Sequence, residues 1–590
     1  MSVRLLGFPL RPPLTPYIAL LCILATACQD SPALTCGPGT VQLADQCVLT
    51  NAGDEADADA DSYTVESGDC ADSNPLRYPG AVEVCNGLDD DCDGVVDDDA
   101  EDGTIWFADA DEDGYGDPAN AQLVCDEPVG HVTNANDCDD GDGASSPAGV
   151  EVCADGVDND CDGLDASCSG GSLSSANAKY TGRADNDHAG KSVSGAGDVN
   201  QDGFDDLIIG ATGADASYLI LGSAVPSRSE IDAADAKYVG DAALYYVGTS
   251  VSSAGDVNGD GFGDVLVGAP DAGAFLILGS ASPSDRALAA ADAVYTEGAE
   301  RQWAGNSVSS AGDVNGDGFG DVLVGAPYND EGGTYAGAAY MILGGPAPVS
   351  LDLSAADAKF TGGENERAGW SVSGAGDVDG DGLDDVAIGA PYGNATYLVL
   401  GSPTPGSRDS SAADATYTCG GYLGLSVSEA GDVNADGFAD LVMGAPGGAG
   451  AAYLILGSVA PVDTKLRAAD AQFTGEANND DAGGSVSGAG DVNADGFADL
   501  LVGATWNGDG GYAAGAAYLV LGSAVPSNRD PSLADAQFTG ESGSDFAGVS
   551  VSAAGDVDAD GFDDLLVGAV YNDEGGSDAG AAYLILGPGF

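Results

Sequence analysis

A nine-residue pattern, Asp-x-[Asn/Asp]-x-Asp-Gly-x-x-Asp, begins at Asp198, Asp256, Asp313, Asp377, Asp432, Asp491 and Asp556, with a period of about sixty residues. The stretch AGDVNGDGFGDVLVGAP is repeated letter for letter at 254–270 and 311–327. Seven copies of one supersecondary unit restrict the chain to a solenoid or a ring of repeats, since each unit buries its apolar face only against its neighbours. Four short apolar segments follow in fixed order within a unit, as in AQFTG at 471, GSVSGAG at 484, ADLLVGA at 498 and AAYLVLG at 516. Their alternation, their β-branched and aromatic content, and the Gly, Asp and Pro between them predict strands. Four antiparallel strands per unit make a propeller blade, so the expected fold is all-β, a seven-bladed β-propeller over 178–590. The last unit ends at AAYLILGPGF without an outer strand, while a spare AKYTG stands ahead of the first loop. Strand order therefore predicts that 178–182 closes the ring by pairing with 581–587, which would cover an exposed edge.

The loop has the spacing of a metal site. In the copy that starts at Asp256, Asn258 and Asp260 hold positions three and five, Gly261 six, Phe262 seven and Asp264 nine. Calcium takes six to eight oxygens at about 2.3–2.6 Å, and alternate residues of a tight loop turn their oxygens toward one point. Gly at six permits the positive φ of the reversal, and position seven offers its carbonyl. The acid that an EF-hand needs at position twelve is replaced by Val267, inside a strand, which excludes the helix-flanked version. The corresponding ligands are Asp198, Asn200, Asp202, Phe204 and Asp206 in the first loop, and Asp313, Asn315, Asp317, Phe319 and Asp321 in the third. The fourth has Asp377, Asp379, Asp381, Leu383 and Asp385; the fifth has Asp432, Asn434, Asp436, Phe438 and Asp440. Asp491, Asn493, Asp495, Phe497 and Asp499 form the sixth, and Asp556, Asp558, Asp560, Phe562 and Asp564 the seventh. One match could be a polar turn; seven in register, each between strands, predict seven Ca²⁺ ions.

The 97 acidic residues against 16 basic ones give a net charge of −81, which excludes nucleic acid and anionic lipid as partner surfaces and favours cations. Acid density is highest in a duplicated block over 57–168, whose cysteines 70, 85, 92 and 138, 153, 161 recur at nearly equal spacing. Two loops there keep the metal spacing, Asp89, Asp91, Asp93 and Asp97, and Asp109, Asp111, Asp113 and Asp117, for two further Ca²⁺ ions. Two more are degraded: 57–65 has Ser62 in place of glycine, and 158–166 ends in Ala166. A disordered acidic spacer is the competing reading of this block. Residues 169–177 read as a Ser/Gly linker.

The first 27 residues carry Arg4 and Arg11 ahead of an apolar run from Tyr17 to Ala27, an export signal too short to span a bilayer. Residues 28–56 would be a tether. Ten of the 13 cysteines, from Cys36 to Cys168, crowd one exported segment, which argues for disulfides, with Cys36–Cys47 the easiest local pair. Cys419 stands alone.

Three resemblances follow from these residues. LATAC, ending at Cys28, resembles the bacterial lipoprotein cleavage box with Ala25 where Leu is commonest, which implies a lipid anchor at Cys28; an ordinary signal peptidase site fits the same letters. Residues 57–168 resemble the MopE-type metal-binding repeats of exported bacterial proteins and, more loosely, thrombospondin calcium repeats. DVNGDGFGDVLVGAP resembles the FG-GAP repeat of integrin α propellers, down to Gly-Ala-Pro at 268–270, 325–327, 389–391 and 444–446. That resemblance implies calcium in the loops and extracellular recognition by the propeller. The later integrin domains have no counterpart, so heterodimer formation and signalling are not implied.

Catalysis is not expected, because acids repeated seven times at metal spacing are unlike the unique departure that makes an active site. His131 and His188 are the only histidines, and HAGKS at 188 lacks a phosphate loop's earlier glycine. Successive loops of an up-and-down blade alternate faces, so the metal loops share one face, and the two-to-three and four-to-one loops share the other. Variation concentrates on that other face. Long two-to-three loops occur at YNDEGGTYAG, WNGDGGYAAG and YNDEGGSDAG, and one slot two residues before a repeated Gly holds His188, Tyr246, Trp303, Arg367, Tyr422, Asp481 and Phe546. Trp303, Arg367, Tyr328, Trp506 and Tyr571 are the predicted contacts for an extracellular protein or glycan; capping of the blade cores is the competing use for the aromatic residues. The whole reads as a surface adhesion or recognition protein. A metal-sequestering envelope protein working through 57–168 is the second reading, and a polysaccharide-acting enzyme the third.

Overall fold

Each repeat turns its inner strand into the metal loop through a glycine bulge. Ser253 pairs with Val265, the register slips, and Gly255, at φ 72°, pairs with Asp264; every blade shows the same slip. The extra residue sharpens the local twist and points the loop out of the sheet. The computed structural model describes residues 40–43, 46–49, most of 57–141, Ser146, and 171–587 apart from 228, 241–245, 271, 298–301, 478 and 529–533. Two compact units result, one over the acidic block and one over the repeats.

The repeat unit consists of seven sheets of four or five strands. One blade runs from an inner strand, Ser250–Gly255, through Asp264–Ala269 and Gly273–Ile277 to an outer strand, Ala293–Thr296. The middle two strands are buried at every residue, because both their faces pack on neighbouring sheets. Seven apolar clusters result, each joining residues of two successive blades.

At the chain ends, Ala178–Thr181 pairs antiparallel with Ala581–Ile585, from Ala581↔Thr181 to Leu584↔Ala178, which is the expected pairing. Lys179 lies in this seam, 2% exposed, bonded to Glu541 at 2.7 Å and to Glu574.

A short fifth strand was not anticipated from the sequence. Between the third and outer strands the chain crosses to the preceding sheet, where Ser229–Glu230 pairs parallel with Tyr180–Thr181, then makes a 3₁₀ turn whose Ile231 is buried. Among the described residues five sheets carry this strand. It covers the outer edge and laces adjacent blades. Residues 171–177, expected as linker, are another copy of that segment: Ser172 bridges Thr539, the Gly171 carbonyl accepts from the Thr539 amide, and Leu173 is buried in the core. The Ser/Gly composition there reflects a turn, not a free tether.

In the acidic unit Thr104–Ala108, Asp117–Val124 and His131–Val132 form a three-stranded sheet. Disulfides join Cys70 to Cys92 and Cys85 to Cys125, and Cys138 is also oxidised. The signal segment, Cys28, most of 28–56, the Cys36–Cys47 bridge, Asp113 and the 158–166 loop lie outside the described residues. No helix among the described residues is long and apolar enough to cross a membrane.

Candidate metal loops and recognition face

In the second loop Asp256 wraps the chain around itself: Oδ1 accepts the amides of Gly259 (2.7 Å) and Asp260 (3.0 Å), and Oδ2 that of Gly261 (2.8 Å). Asn258 Oδ1 takes the Asp260 amide, and Asp260 Oδ1 takes that of Phe262. The Oδ2 bond from position one to the position-six amide recurs in all seven loops, and the six glycine lies at φ 88–94° throughout. Such left-handed backbone favours glycine. Position-seven rings work between blades: a side chain at Gly259 would run into Phe319, and one at Gly380 into Phe438.

Position nine differs from the rest. Asp206, Asp264, Asp321, Asp385, Asp440, Asp499 and Asp564 are fully buried. In Asp264, Oδ2 accepts the Val257 amide (2.9 Å) and Oδ1 the Gly279 amide (2.8 Å), which ties the loop to the end of the third strand. Desolvation pushes Asp264 up to about 6 and Asp206 up to about 7; the two amides oppose this shift, and nearby loop aspartates add to it. Burial thus disfavours the charged form of this carboxyl in each loop, and a bound cation would reverse that balance. Carboxylates of Asp377, Asp379 and Asp385 converge within 4.8 Å, as do those of Asp556, Asp558 and Asp560. Buried Asp558 Oδ1 has no hydrogen-bond partner, the condition in which an oxygen suits a hard divalent cation. One feature missed in the sequence lies at position eight: Asp205, Asp384 and Asp563 accept the amides of Asp556, Asp313 and Asp491, linking each loop to that of the preceding blade.

The acidic block departs from expectation. Asp57, Asp59 and Asp61 converge, although that loop lacks its glycine, because Ser62 itself adopts φ 86°. In the next loop Glu83 joins Asp89 and Asp91, while Asp97 turns to the amides of Asn86 and Gly87. Glu83 lies outside the nine-residue window, so spacing could not have found it. Asp59 Oδ2, Asp61 Oδ2 and Asp89 Oδ1 are buried without hydrogen bonds. Asp109 Oδ2 accepts the Gly114 amide, so that loop begins the same wrap.

On the other face, all seven slot residues, His188, Tyr246, Trp303, Arg367, Tyr422, Asp481 and Phe546, take left-handed backbone at φ 54–63°. Asp, Asn and His, such as Asp481 and His188, tolerate that conformation best, and for bulky residues it costs about 1–2 kcal/mol each. Their rings nonetheless stand partly or largely exposed, Trp303 at 40% and Tyr246 at 62%. Trp303 meets Tyr328 with centroids 4.6 Å apart; Trp506, Phe546, Tyr571 and His188 form a second run at 4.9, 5.2 and 5.4 Å. The Arg367 guanidinium sits 3.8 Å from the Tyr392 ring and 4.8 Å from that of Tyr328. Three long loops are anchored by buried asparagines: Asn329, Asn507 and Asn572 donate to the hydroxyls of Tyr340, Tyr518 and Tyr583 at 3.1, 2.9 and 3.2 Å. Each asparagine follows Tyr328, Trp506 or Tyr571 and fixes where that ring is presented. The repeated aromatic-Asn pair was the available sequence signal.

The FG-GAP repeat model matches at 189–224, 247–282, 304–341, 368–406, 426–455, 482–520 and 547–585, so each metal loop and slot strand falls within a repeat. The chain is an FG-GAP repeat protein. The MopE-type metal-binding motif matches at 69–98 and 137–166. Similar curated proteins include integrin alpha pat-2 of Caenorhabditis elegans, 32% identical over 41% of this chain and 21% of the integrin. Human integrin alpha-IIb is 36% identical over 24% of this chain and 15% of its own length; chicken integrin alpha-V is 32% identical over 35% and 20%. This FG-GAP protein therefore spans about a fifth or less of the length of those relatives.

Proposed function

We propose that this is an extracellular, calcium-stabilised recognition protein, in which the metal loops set the scaffold and the opposite face binds a protein or glycan. The observation that carries the reading is the slot. Seven blades hold a residue in left-handed backbone there, and six of those residues are bulky rings or an arginine. Other left-handed positions, such as Gln201, Ala435, Ala494 and Ala559 in the metal loops, carry no ring, whereas the slot sets rings and a guanidinium at least partly in solvent, which supports a site of use. Similarity to integrin α chains supports recognition outside the cell, and the aspartate loops support calcium as the resident ion. Asp256, Asn258 and Asp260 would supply side-chain oxygens, Phe262 its carbonyl, and Asp264 the buried carboxylate. The ion would clamp the turn between inner and second strands. A lipid anchor at Cys28 belongs to the same reading.

A protein and glycan binding array on the full chain, repeated with Trp303→Ala and Arg367→Ala, tests it. Binding that survives both substitutions in a folded protein would refute the face. A second reading rests on the carboxylates converging at Asp57, Asp59 and Asp61 and at Glu83, Asp89 and Asp91, as metal sequestration would require. Equilibrium dialysis separates the two, because a scaffold ion should be Ca²⁺ and govern melting, whereas a scavenger should prefer a transition metal.

A further inference from the structure

The cavity at the mouth of the inner strands on the aromatic face has a volume of about 760 Å³, within the usual range for a small-molecule site. His188, Tyr246, Trp303, Phe546 and Tyr571 frame it. Three residues beyond the slot, each inner strand sends a second side chain to the same mouth, and Lys191, Thr249, Asn306 and Val549 line the cavity from there. Thr212 and Thr505 add neutral hydroxyls.

Its charge is unlike that of the rest of the molecule. Among the described residues no carboxylate lines this cavity, whereas Glu297, Glu331, Asp352 and Asp409 line a second, and Asp384 and Glu429 a third. Among the described residues that line it, Lys191 is the one lysine or arginine. Among the described residues no acid pairs with its ammonium, a state it shares with Arg367, Lys465 and Arg467, whereas Lys179, Lys237, Lys359, Arg286 and Arg408 have carboxylate partners. Lys191 reaches water within the cavity yet is enclosed enough that desolvation lowers its pKa. What sets Lys191 apart is that it lies unpaired in a cavity whose described lining holds no carboxylate, in a chain with 97 acids, which leaves a place for an external anion.

We infer that this pocket binds a single acidic sugar unit, a uronic-acid pyranose, with its carboxylate on Lys191. The inference rests on the recognition reading above and names the ligand class for that face. Aromatic planes suit the apolar faces of a pyranose ring, and Thr249, Asn306, Thr212 and Thr505 suit its hydroxyl edges. A polyanionic peptide or glycan would be repelled by the net charge of −81, so the fitting ligand carries one carboxylate where it enters.

The test compares methyl β-D-glucuronide with methyl β-D-glucoside, which differ at that carboxylate, on the full chain with calcium, by calorimetry and tryptophan fluorescence. The glucuronide should bind about tenfold tighter or more, the effect of one charge-assisted hydrogen bond. Lys191→Gln should bring the two probes to parity, Lys191→Arg should retain the preference, and Trp303→Ala should weaken both, with melting temperatures unchanged. Equal binding of the two sugars, an unchanged ratio in Lys191→Gln, or no binding at millimolar concentration would overturn the inference. Glutarate binding as tightly as the glucuronide would also overturn it, as an anion site without sugar recognition. An array ligand that needs Trp303 but not Lys191 would sink this inference and leave the recognition face standing; independence from Trp303 would sink both.

Discussion

The two faces of the repeat unit solve the same backbone problem with opposite residues. Both demand left-handed residues in every blade. At position six of the metal loops all seven are glycine, φ 88–94°, whereas none of the seven slot residues on the aromatic face is. Position four of the same loops is also left-handed, and there glycine gives way to Gln201, Ala435, Ala494 and Ala559, so glycine is invariant only at the tight reversal of position six. Where the same turn presents a side chain, strain of about 1–2 kcal/mol is tolerated and the side chain varies from blade to blade. On the proposed function one face is scaffold and the other vocabulary.

If the metal face is scaffold, removing calcium should have the largest effect on stability. At free calcium ten times Kd each site adds about 1.4 kcal/mol, so EDTA should lower the melting temperature steeply, as calorimetry would show. Unchanged melting would erase the distinction between the faces. Next comes Asp264→Ala, which strips two buried amides of their acceptor and should cost about 3 kcal/mol by urea titration. Lys179→Met tests the seam of the chain ends: it leaves Glu541 facing Glu574 and should cost about 2–3 kcal/mol, with added salt narrowing the loss.

A smaller effect is expected from Glu297. Burial pushes it up to about 7 from its ordinary 4.5, so the folded protein binds this proton more tightly than the unfolded chain does. Its contribution is present below about 4.5 and is lost as pH rises toward 7. Glu297→Gln should flatten that part of the pH–stability profile; an unchanged profile would show that the carboxyl is solvated.

Much of this was legible before the structure. The period, the strand order and the unpaired AKYTG at 178 all lie in local sequence, and local sequence sufficed for the blades and for the seam pairing. Most of what was missed depends on partners outside any local window, as with Asp205, Asp384 and Asp563, whose position is local but whose amide partners lie on another blade. Ser229–Glu230 is too short to show a period, so the lacing strand and the matching role of 171–177 could not be read. Glu83 reaches its aspartates from beyond the loop spacing. Ser62 was discounted for lacking glycine's freedom, yet the loop's carboxylates hold it at positive φ. Lys191 looked like one of 16 scattered cations, and only the ring of inner strands brings it beside Tyr246 and Trp303.

The most direct measurement is Trp303→Ala in calcium, read for melting and for ligand binding together. A scaffold on one face and recognition on the other predict a melting temperature within a degree or two of the parent, since the removed ring is substantially exposed and alanine leaves the backbone strain of the slot as it was, together with loss of binding. A clearly lowered melting temperature with undiminished binding would show that the aromatic ring caps the blades, and would contradict the account.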